Sequence, residues 1–128
     1  MSDEDKNEVL KFSLSLEEVP VELENPKTGK VDHYVLREMN GELRDKYLGF
    51  IGKKMDVNSK GDVKMKDYDG LQANLLSRCL FAVEDDGDKP VSIEVIQKFP
   101  ARVQTILFEK AKEISGMDDE AEDAAGNE

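Results

Sequence analysis

The stretch VPVELENPKTGKVDHYVL, residues 19–36, has the pattern of a β-hairpin and decides how the rest of the chain is interpreted. Its first part alternates apolar and polar residues, the period of a half-buried strand, with the apolar positions at Val19, Val21 and Leu23. Residues 24–30 have turn chemistry, because Pro26 fixes its own φ and Gly29 accepts a positive φ. VDHYVL, 31–36, follows as the returning strand. Such a small sheet needs helices against one face to be stable.

The segment before the hairpin, KFSLSL at 11–16, also alternates polar and apolar residues, which makes it a candidate third strand. Glu17 and Glu18 interrupt the alternation, and the hairpin resumes it with the opposite parity. A bulge or bend is therefore expected between the two segments.

Four helices are predicted after the hairpin, over residues 41–54, 70–83, 93–98 and 100–115. Their starts carry helix-initiating residues: Asn40, Asp69 (in a capping box with Gln72), Ser92 and Pro100. Gly116 is expected to end the last helix. Apolar residues repeat at helical spacing, and the predicted buried positions are Leu43, Tyr47, Leu48, Ile51 and Met55; Leu71, Leu75, Leu76, Cys79, Leu80 and Val83; Ile93, Val95, Ile96 and Phe99; Val103, Ile106, Leu107, Ala111 and Ile114.

The predicted fold class is α+β, an N-terminal hairpin with 11–16 as a candidate third strand followed by about four helices. Of the net charge of −11, six acids without a base lie in 117–128 and a net −3 lies in 1–8. We therefore expect one globular domain at 9–116, nearly balanced in charge, between a disordered acidic N-terminus at 1–8 and a disordered acidic tail at 117–128. Nucleic acid and acidic membrane surfaces are not expected as partners, because both require a basic surface.

No secretory signal, transit peptide or membrane-spanning run is evident, and the single cysteine excludes an intramolecular disulfide framework and fits a reducing compartment. DVNSKGDVKMKD, residues 56–67, approaches the spacing of a twelve-residue calcium loop, with Asp56 first and Asp67 last. Lys60 and Lys64 stand where that loop needs oxygen ligands. A polar connector, turning as a small hairpin at Gly61, is the favoured interpretation.

No enzyme, metal site or cofactor is predicted. His33 is the only histidine, and it is expected on an outward face of the hairpin, while Cys79 is expected in the core. The acids Asp85, Asp86 and Asp88 fit a solvated turn better than a cation site. Phosphate-binding glycine loops, nucleophile elbows and metal-spaced Cys/His sets do not occur. The pattern favours a binding or assembly protein.

Two segments, 34–55 and 75–116, together resemble the tail assembly chaperones of long-tailed, non-contractile phages and related prophages. The residues that carry the resemblance are Leu36-Arg37-Glu38 with Gly41, the acidic turn Asp86-Gly87, the helix opening Val91-Ser92, and a last helix with Pro100, Ile114 and Ser115. The resemblance covers about 31–116 and implies a non-catalytic protein of the bacterial cytoplasm, absent from the mature virion. It implies binding to the tape measure protein and help in recruiting tail tube subunits, and it leaves self-association open.

Aromatic residues are the predicted contacts for such a partner: Tyr34, Tyr47, Phe50, Tyr68 and Phe81. Phe50 and Phe81 lie off the main apolar stripes of their helices, which favours exposure, although packing under the loop or the hairpin explains them equally well. A rival hypothesis is an acidic regulator or nucleic-acid mimic that binds a basic partner. It requires carboxylates on the folded body, whereas the excess lies at the ends of the chain.

Overall fold

The computed structural model describes residues 8–57, 59–65 and 69–117. Six strands are assigned in this part: β1 Glu18–Glu24, β2 Val31–Arg37, β3 Met55–Val57, β4 Val63–Met65, β5 Leu80–Ala82 and β6 Lys89–Pro90. The helices of the same part are α1 Gly41–Lys54, α2 Leu71–Cys79, α3 Ile93–Gln97 and α4 Ala101–Ile114. The α+β class, the hairpin and the four helices are confirmed. None of these helices is both long and apolar enough to cross a membrane.

The main sheet has four antiparallel strands in the order β1–β2–β5–β6. The β1–β2 hairpin turns at Gly29, whose φ is +71°. Residues that pair on neighbouring strands lie on the same face of the sheet, so they form rows that run across the strands. The row Val19, Leu36, Leu80 and Val91 faces the helices. Leu36 and Leu80 are fully buried there.

The helices cover only this face of the sheet and supply most of the core. Their fully buried side chains, all with 0% exposure, are Tyr47, Ile51, Leu75, Leu76, Cys79, Ile96 and Ala111. Two predicted caps are confirmed: the Asn40 side chain accepts from Leu43 N–H, and the Ser92 side chain accepts from Val95 N–H. Gly116, with φ +68°, follows the end of α4 as expected.

The predicted third strand at 11–16 is wrong, because this segment has no strand partner within the described residues. The third position in the sheet is taken by β5, which lies inside the helix predicted at 70–83. Helix α2 ends at Cys79, since Leu80–Ala82 pairs with Leu36–Tyr34 of β2. The free edge of β2 offers backbone hydrogen bonds that outweigh the local helical pattern.

Two finer predictions about the helices are also wrong. The N-cap residue of α2 is Gly70, with φ +71°, so Asp69 does not occupy the cap position predicted for it. Three side chains that the helical spacing predicts to be buried are exposed, Ile106 at 67%, Val83 at 48% and Val95 at 45%, whereas Phe108 is 5% exposed. The stripe of α4 is rotated because the helix packs on both α2 and β2, a geometry that its own sequence does not determine.

The connector after α1 forms a second, two-stranded sheet from β3 and β4. Gly61, with φ +84°, lies in the turn between them, as predicted. Asn58, Lys66 and Asp67 of the calcium-like window lie outside the described residues. Among the described residues, no three His, Cys, Asp or Glu side chains gather where they could hold a metal ion.

Gly49 and Gly52 weaken α1 without a packing reason. A Cβ built at either position meets no atom within 4 Å, so no neighbouring backbone requires glycine. We expect Gly49→Ala and Gly52→Ala each to raise the free energy of unfolding by about 0.5–1 kcal/mol, because alanine loses less backbone entropy in a helix. Urea denaturation followed by circular dichroism measures the change.

Gly70→Ala is the control for this prediction, because Gly70 has φ +71°. A side chain at that conformation is strained, so this substitution should lower stability by roughly 1 kcal/mol. Loss of stability in Gly49→Ala or Gly52→Ala would show that α1 needs glycine at these positions.

Candidate protein-interaction surface

The side of the sheet opposite the helices carries an apolar patch between charged residues, and this patch stays exposed or half-buried in the described part of the chain. We call it the open sheet face and define it by six residues: Pro20, Val31, Val35, Phe81, Val83 and Pro90. Four of them form one row across all four strands, in the order Pro20, Val35, Phe81 and Pro90. Val31 and Val83 are 44% and 48% exposed. Exposed apolar surface of this extent, rimmed by charges, is typical of a protein-interaction site.

Arg37, the last residue of β2, lies at one border of the open sheet face. Its guanidinium lies 4.3 Å from the centroid of the Phe81 ring. The same group hydrogen-bonds Glu18 of β1 through Nε and lies 2.8 Å from Asp88 Oδ2 through Nη2. These hydrogen bonds raise the pKa of Arg37, and the bond to Glu18 has the largest effect, so the guanidinium stays charged. Arg37 therefore ties β1 to the β5–β6 turn and shields one side of Phe81.

Both edges of the sheet resist the addition of another strand. Glu38 N–H donates to the Glu17 carbonyl at 2.8 Å, so the odd-numbered residues of β1 bond to β2. The nitrogen of Pro20 consequently points to the open edge, where it offers no N–H. Val91 N–H donates to the Leu80 carbonyl at 3.1 Å, which by the same reasoning turns the Pro90 nitrogen away from β5. Prolines placed in this way discourage edge-to-edge pairing and leave the face as the accessible surface.

A second apolar surface lies in the segment before β1, residues 9–16, which we call the N-terminal arm. Its alternate residues are large and solvent-exposed: Leu10 at 73%, Phe12 at 83%, Leu14 at 98% and Leu16 at 39%. Glu17 anchors the arm to the residue that follows β2, because its N–H donates to Glu38 Oε1 at 2.7 Å. The arm thus has strand-like alternation but buries almost none of its apolar side chains in its own chain.

Of the five aromatic residues predicted to contact a partner, Phe81 is the one on the open sheet face. Tyr34 lies on the helix-facing side of β2, with its ring edge-to-face against Phe99 at 6.3 Å. Phe50 is half-buried against the core, with Lys54 Nζ 5.3 Å from its ring centroid. Tyr47 has 0% exposure and is a core residue, so it presents no surface. Tyr68 lies outside the described residues.

Tyr34 also lines a cleft of about 650 Å³ between the tip of the hairpin and the start of α4. Apolar walls come from Leu23, Phe99 and Val103, and Lys98 and Arg102 face the acids of the hairpin across it. Burial, and secondarily the charge of Asp32, raises the pKa of Tyr34, so its hydroxyl stays protonated at neutral pH. The cleft lies mainly on the helix side of the sheet and meets the open sheet face at Glu22 and Glu24, which line both.

The two candidate reactive side chains are not brought together. His33 is on the outward side of β2, as predicted, with 62% of its side chain exposed and Nδ1 3.9 Å from Glu22 Oε1. Cys79 lies in the core with 0% exposure, also as predicted. Burial raises the pKa of the Cys79 thiol to about 12, so the thiol is protonated and un-nucleophilic at neutral pH. In the acidic turn, Lys89 Nζ lies 2.9 Å from Glu84 Oε2 and 3.3 Å from Asp86 Oδ2, as expected for a solvated turn.

Sequence reasoning missed most of this surface although a signal was present. Tyr34, Val35 and Leu36 are consecutive apolar residues in a strand, so both faces of β2 had to be apolar. The rest of the open sheet face could not be predicted, because it includes residues of β5, which the sequence pattern places in a helix over 70–83. The sequence shows the alternation of apolar residues in the arm, but it does not show that these side chains remain exposed to solvent.

No protein-family model matches this chain, and no curated protein or solved structure matches it either. The function therefore rests on the surfaces that the chain itself presents.

Proposed function

We propose that the protein is a non-catalytic tail assembly chaperone of a long-tailed phage or prophage, which holds apolar segments of the tape measure protein and helps to recruit tail tube subunits. In this proposal it acts in the cytoplasm of the bacterial host and is absent from the finished virion. The observation that carries the proposal is the open sheet face, an apolar surface that the described part of the chain leaves exposed, whereas the opposite face of the sheet packs against the helices.

The chemistry of the surface fits an apolar, non-acidic segment of another chain. The row through Val35 and Phe81 supplies apolar area without a backbone edge that could propagate into a larger sheet. Glutamates line the same face along β1, at Glu18, Glu22 and Glu24. A client segment with apolar residues on one side and basic residues at its margins would satisfy both features.

The acidic ends of the chain complement this role. The net charge of −11 is concentrated in 1–8 and 117–128. Repulsion between such charges keeps complexes apart from one another, which opposes co-precipitation with an aggregation-prone client. Holding a client needs no bond to be made or broken, and Cys79, the most reactive type of side chain in the molecule, is buried in the core.

Binding to a labelled apolar fragment of a phage tape measure protein, followed by fluorescence anisotropy, tests the proposal. We expect Val83→Asp to weaken binding at least tenfold, equivalent to about 1.4 kcal/mol, because a carboxylate on the open sheet face would be desolvated by the client. Val83 is 48% exposed, so the substitution should leave the fold intact.

Val95→Asp is the matched control, because Val95 is 45% exposed but lies on α3, in the helical layer. It should bind the fragment as the unsubstituted protein does. Equal loss in both variants, or no loss in Val83→Asp, would remove the open sheet face from the proposal. Absence of binding to tape measure fragments by the unsubstituted protein would overturn the proposed function itself.

A further inference from the structure

The N-terminal arm and the open sheet face are two uncovered apolar surfaces of one chain, and each has the properties needed to cover the other. We infer that the arm, residues 9–16, packs across the open sheet face of a second copy, so that two copies exchange arms and form a dimer that occupies the client surface. This inference rests on the proposed function only in naming that face as the client surface.

The arm has the apolar pattern that such packing requires. Leu10, Phe12, Leu14 and Leu16 alternate with Lys11, Ser13 and Ser15, so an arm that straightens at the Ser15 bend on docking presents four apolar side chains to one side and polar groups to the other. The open sheet face offers a row of apolar side chains that runs across its strands. Among the described residues, Leu10, Phe12 and Leu14 of the arm and Val31 and Val83 of the face remain largely exposed.

Charge favours the pairing. Lys11 is the only charged residue between Val9 and Leu16, which gives the arm a charge of +1. The open sheet face carries Glu18, Glu22 and Glu24 along β1, against the single cation Arg37 on β2. The arm therefore approaches a face of opposite sign, while the strongly acidic segments of each copy lie outside the contact.

The direction of the arm favours a second copy over its own face. Glu17 is fixed at both ends of its backbone, since its N–H donates to Glu38 Oε1 at 2.7 Å and its carbonyl accepts from Glu38 N–H at 2.8 Å. The arm bends at Ser15, whose N–H donates to Ser13 Oγ at 3.1 Å, yet Leu14 beyond the bend is 98% exposed, so the arm does not lie on its own face. Exchange about a two-fold axis would cover both arms and close with both contacts made.

The area is sufficient for a stable dimer. Four large apolar side chains bury roughly 400 Å² from each arm when covered. Two arms and the two faces that they cover thus remove about 1,600 Å² from water, the usual size of a specific interface.

Sedimentation velocity of the full chain from micromolar to millimolar concentration tests the inference. We expect a monomer–dimer equilibrium in which Leu14→Asp raises the dissociation constant about 100-fold, because the symmetric dimer contains the altered contact twice. Leu14 is 98% exposed, so the variant should fold. Ser13→Asp, on the other side of the arm, should dimerise nearly as the unsubstituted protein does.

Mixing two weakened variants shows whether the arm meets this particular face. Val83→Asp should also impair the dimer, and a mixture of Leu14→Asp with Val83→Asp should form a heterodimer tighter than either homodimer, since one arm–face contact is then intact. A monomeric unsubstituted protein at all concentrations, an undisturbed Leu14→Asp dimer, or a mixture without heterodimer would each overturn the inference.

The client measurement keeps the two proposals apart. If the dimer forms as described, Leu14→Asp should bind the tape measure fragment more tightly than the unsubstituted protein, because the face is no longer occupied. A monomer that binds the fragment would overturn the arm exchange and leave the proposed function standing. A dimer that binds no fragment would overturn the proposed function and leave the arm exchange standing.

Discussion

Replacement of Tyr47 by alanine is expected to lower the free energy of unfolding by about 3–5 kcal/mol, the usual cost of removing a buried aromatic side chain. Tyr47 has 0% exposure and is the largest fully buried side chain of the core. The loss includes both the apolar area of the ring and the cavity that remains, since α1 cannot collapse without breaking its contacts with α2. Urea denaturation followed by circular dichroism measures it.

Tyr47→Phe is the control, because it keeps the ring and removes only the hydroxyl, whose hydrogen bond is worth about 1 kcal/mol. Phe50→Ala should cost less than Tyr47→Ala, because Phe50 is only half-buried on the same helix. A Tyr47→Ala protein as stable as the unsubstituted one would contradict the assignment of Tyr47 to the core. If the variant is unfolded in buffer, the ordering of Tyr47→Phe and Phe50→Ala still tests the assignment.

This result decides how binding data on the predicted aromatic contacts are understood. Loss of partner binding in Tyr47→Ala would follow from unfolding, whereas loss in Phe81→Ala would follow from a missing surface contact. The sequence placed Tyr47 on the apolar stripe of its helix and Phe81 off it, although both were predicted as partner contacts. The burial of Tyr47 in the structure excludes it from that role.

Labelling of Cys79 by a disulfide reagent at pH 8 is expected to be slower than labelling of an exposed cysteine by a factor on the order of 10³ or more, because the thiol is reached only when the protein opens. Two properties act together: Cys79 has 0% exposure, and burial raises its pKa to about 12. The native protein therefore holds almost no thiolate, the reactive form, at this pH.

An engineered cysteine in the same molecule gives the matched comparison. Leu14→Cys places a thiol at a position that is 98% exposed, so it should react rapidly while Cys79 does not. Addition of urea above the unfolding midpoint should make the two rates equal. Comparable rates in the native protein would show that Cys79 is accessible and would reopen the question of a reactive thiol.

The raised pKa of Cys79 also sets the sign of a pH effect. An unfolded thiol ionises near pH 8.5, while the folded thiol does so only near pH 12. Between these values the unfolded state binds fewer protons, so the contribution of Cys79 to stability is complete below the lower value and is lost as the pH rises through this window. Cys79→Ala should therefore show a weaker loss of stability with alkaline pH than the unsubstituted protein.

The sequence by itself determined the elements whose causes lie within a few residues. The hairpin at 19–36 follows from alternation and a Pro–Gly turn, α1 begins after Asn40 because its side chain caps the helix, and α4 ends before Gly116 because glycine accepts the left-handed conformation. Each of these interactions is local, so it can be predicted without knowing where the rest of the chain lies.

The tertiary structure alone decided which surfaces are covered. Leu80–Ala82 has a helical pattern but becomes a strand, since it pairs with β2, more than forty residues earlier in the chain. The same pairing occupies the edge of β2 and aligns Phe81 with Pro20, Val35 and Pro90 on one face. Local periodicity cannot report such long-range hydrogen bonds, because their free energy belongs to the pair of segments and to neither segment alone.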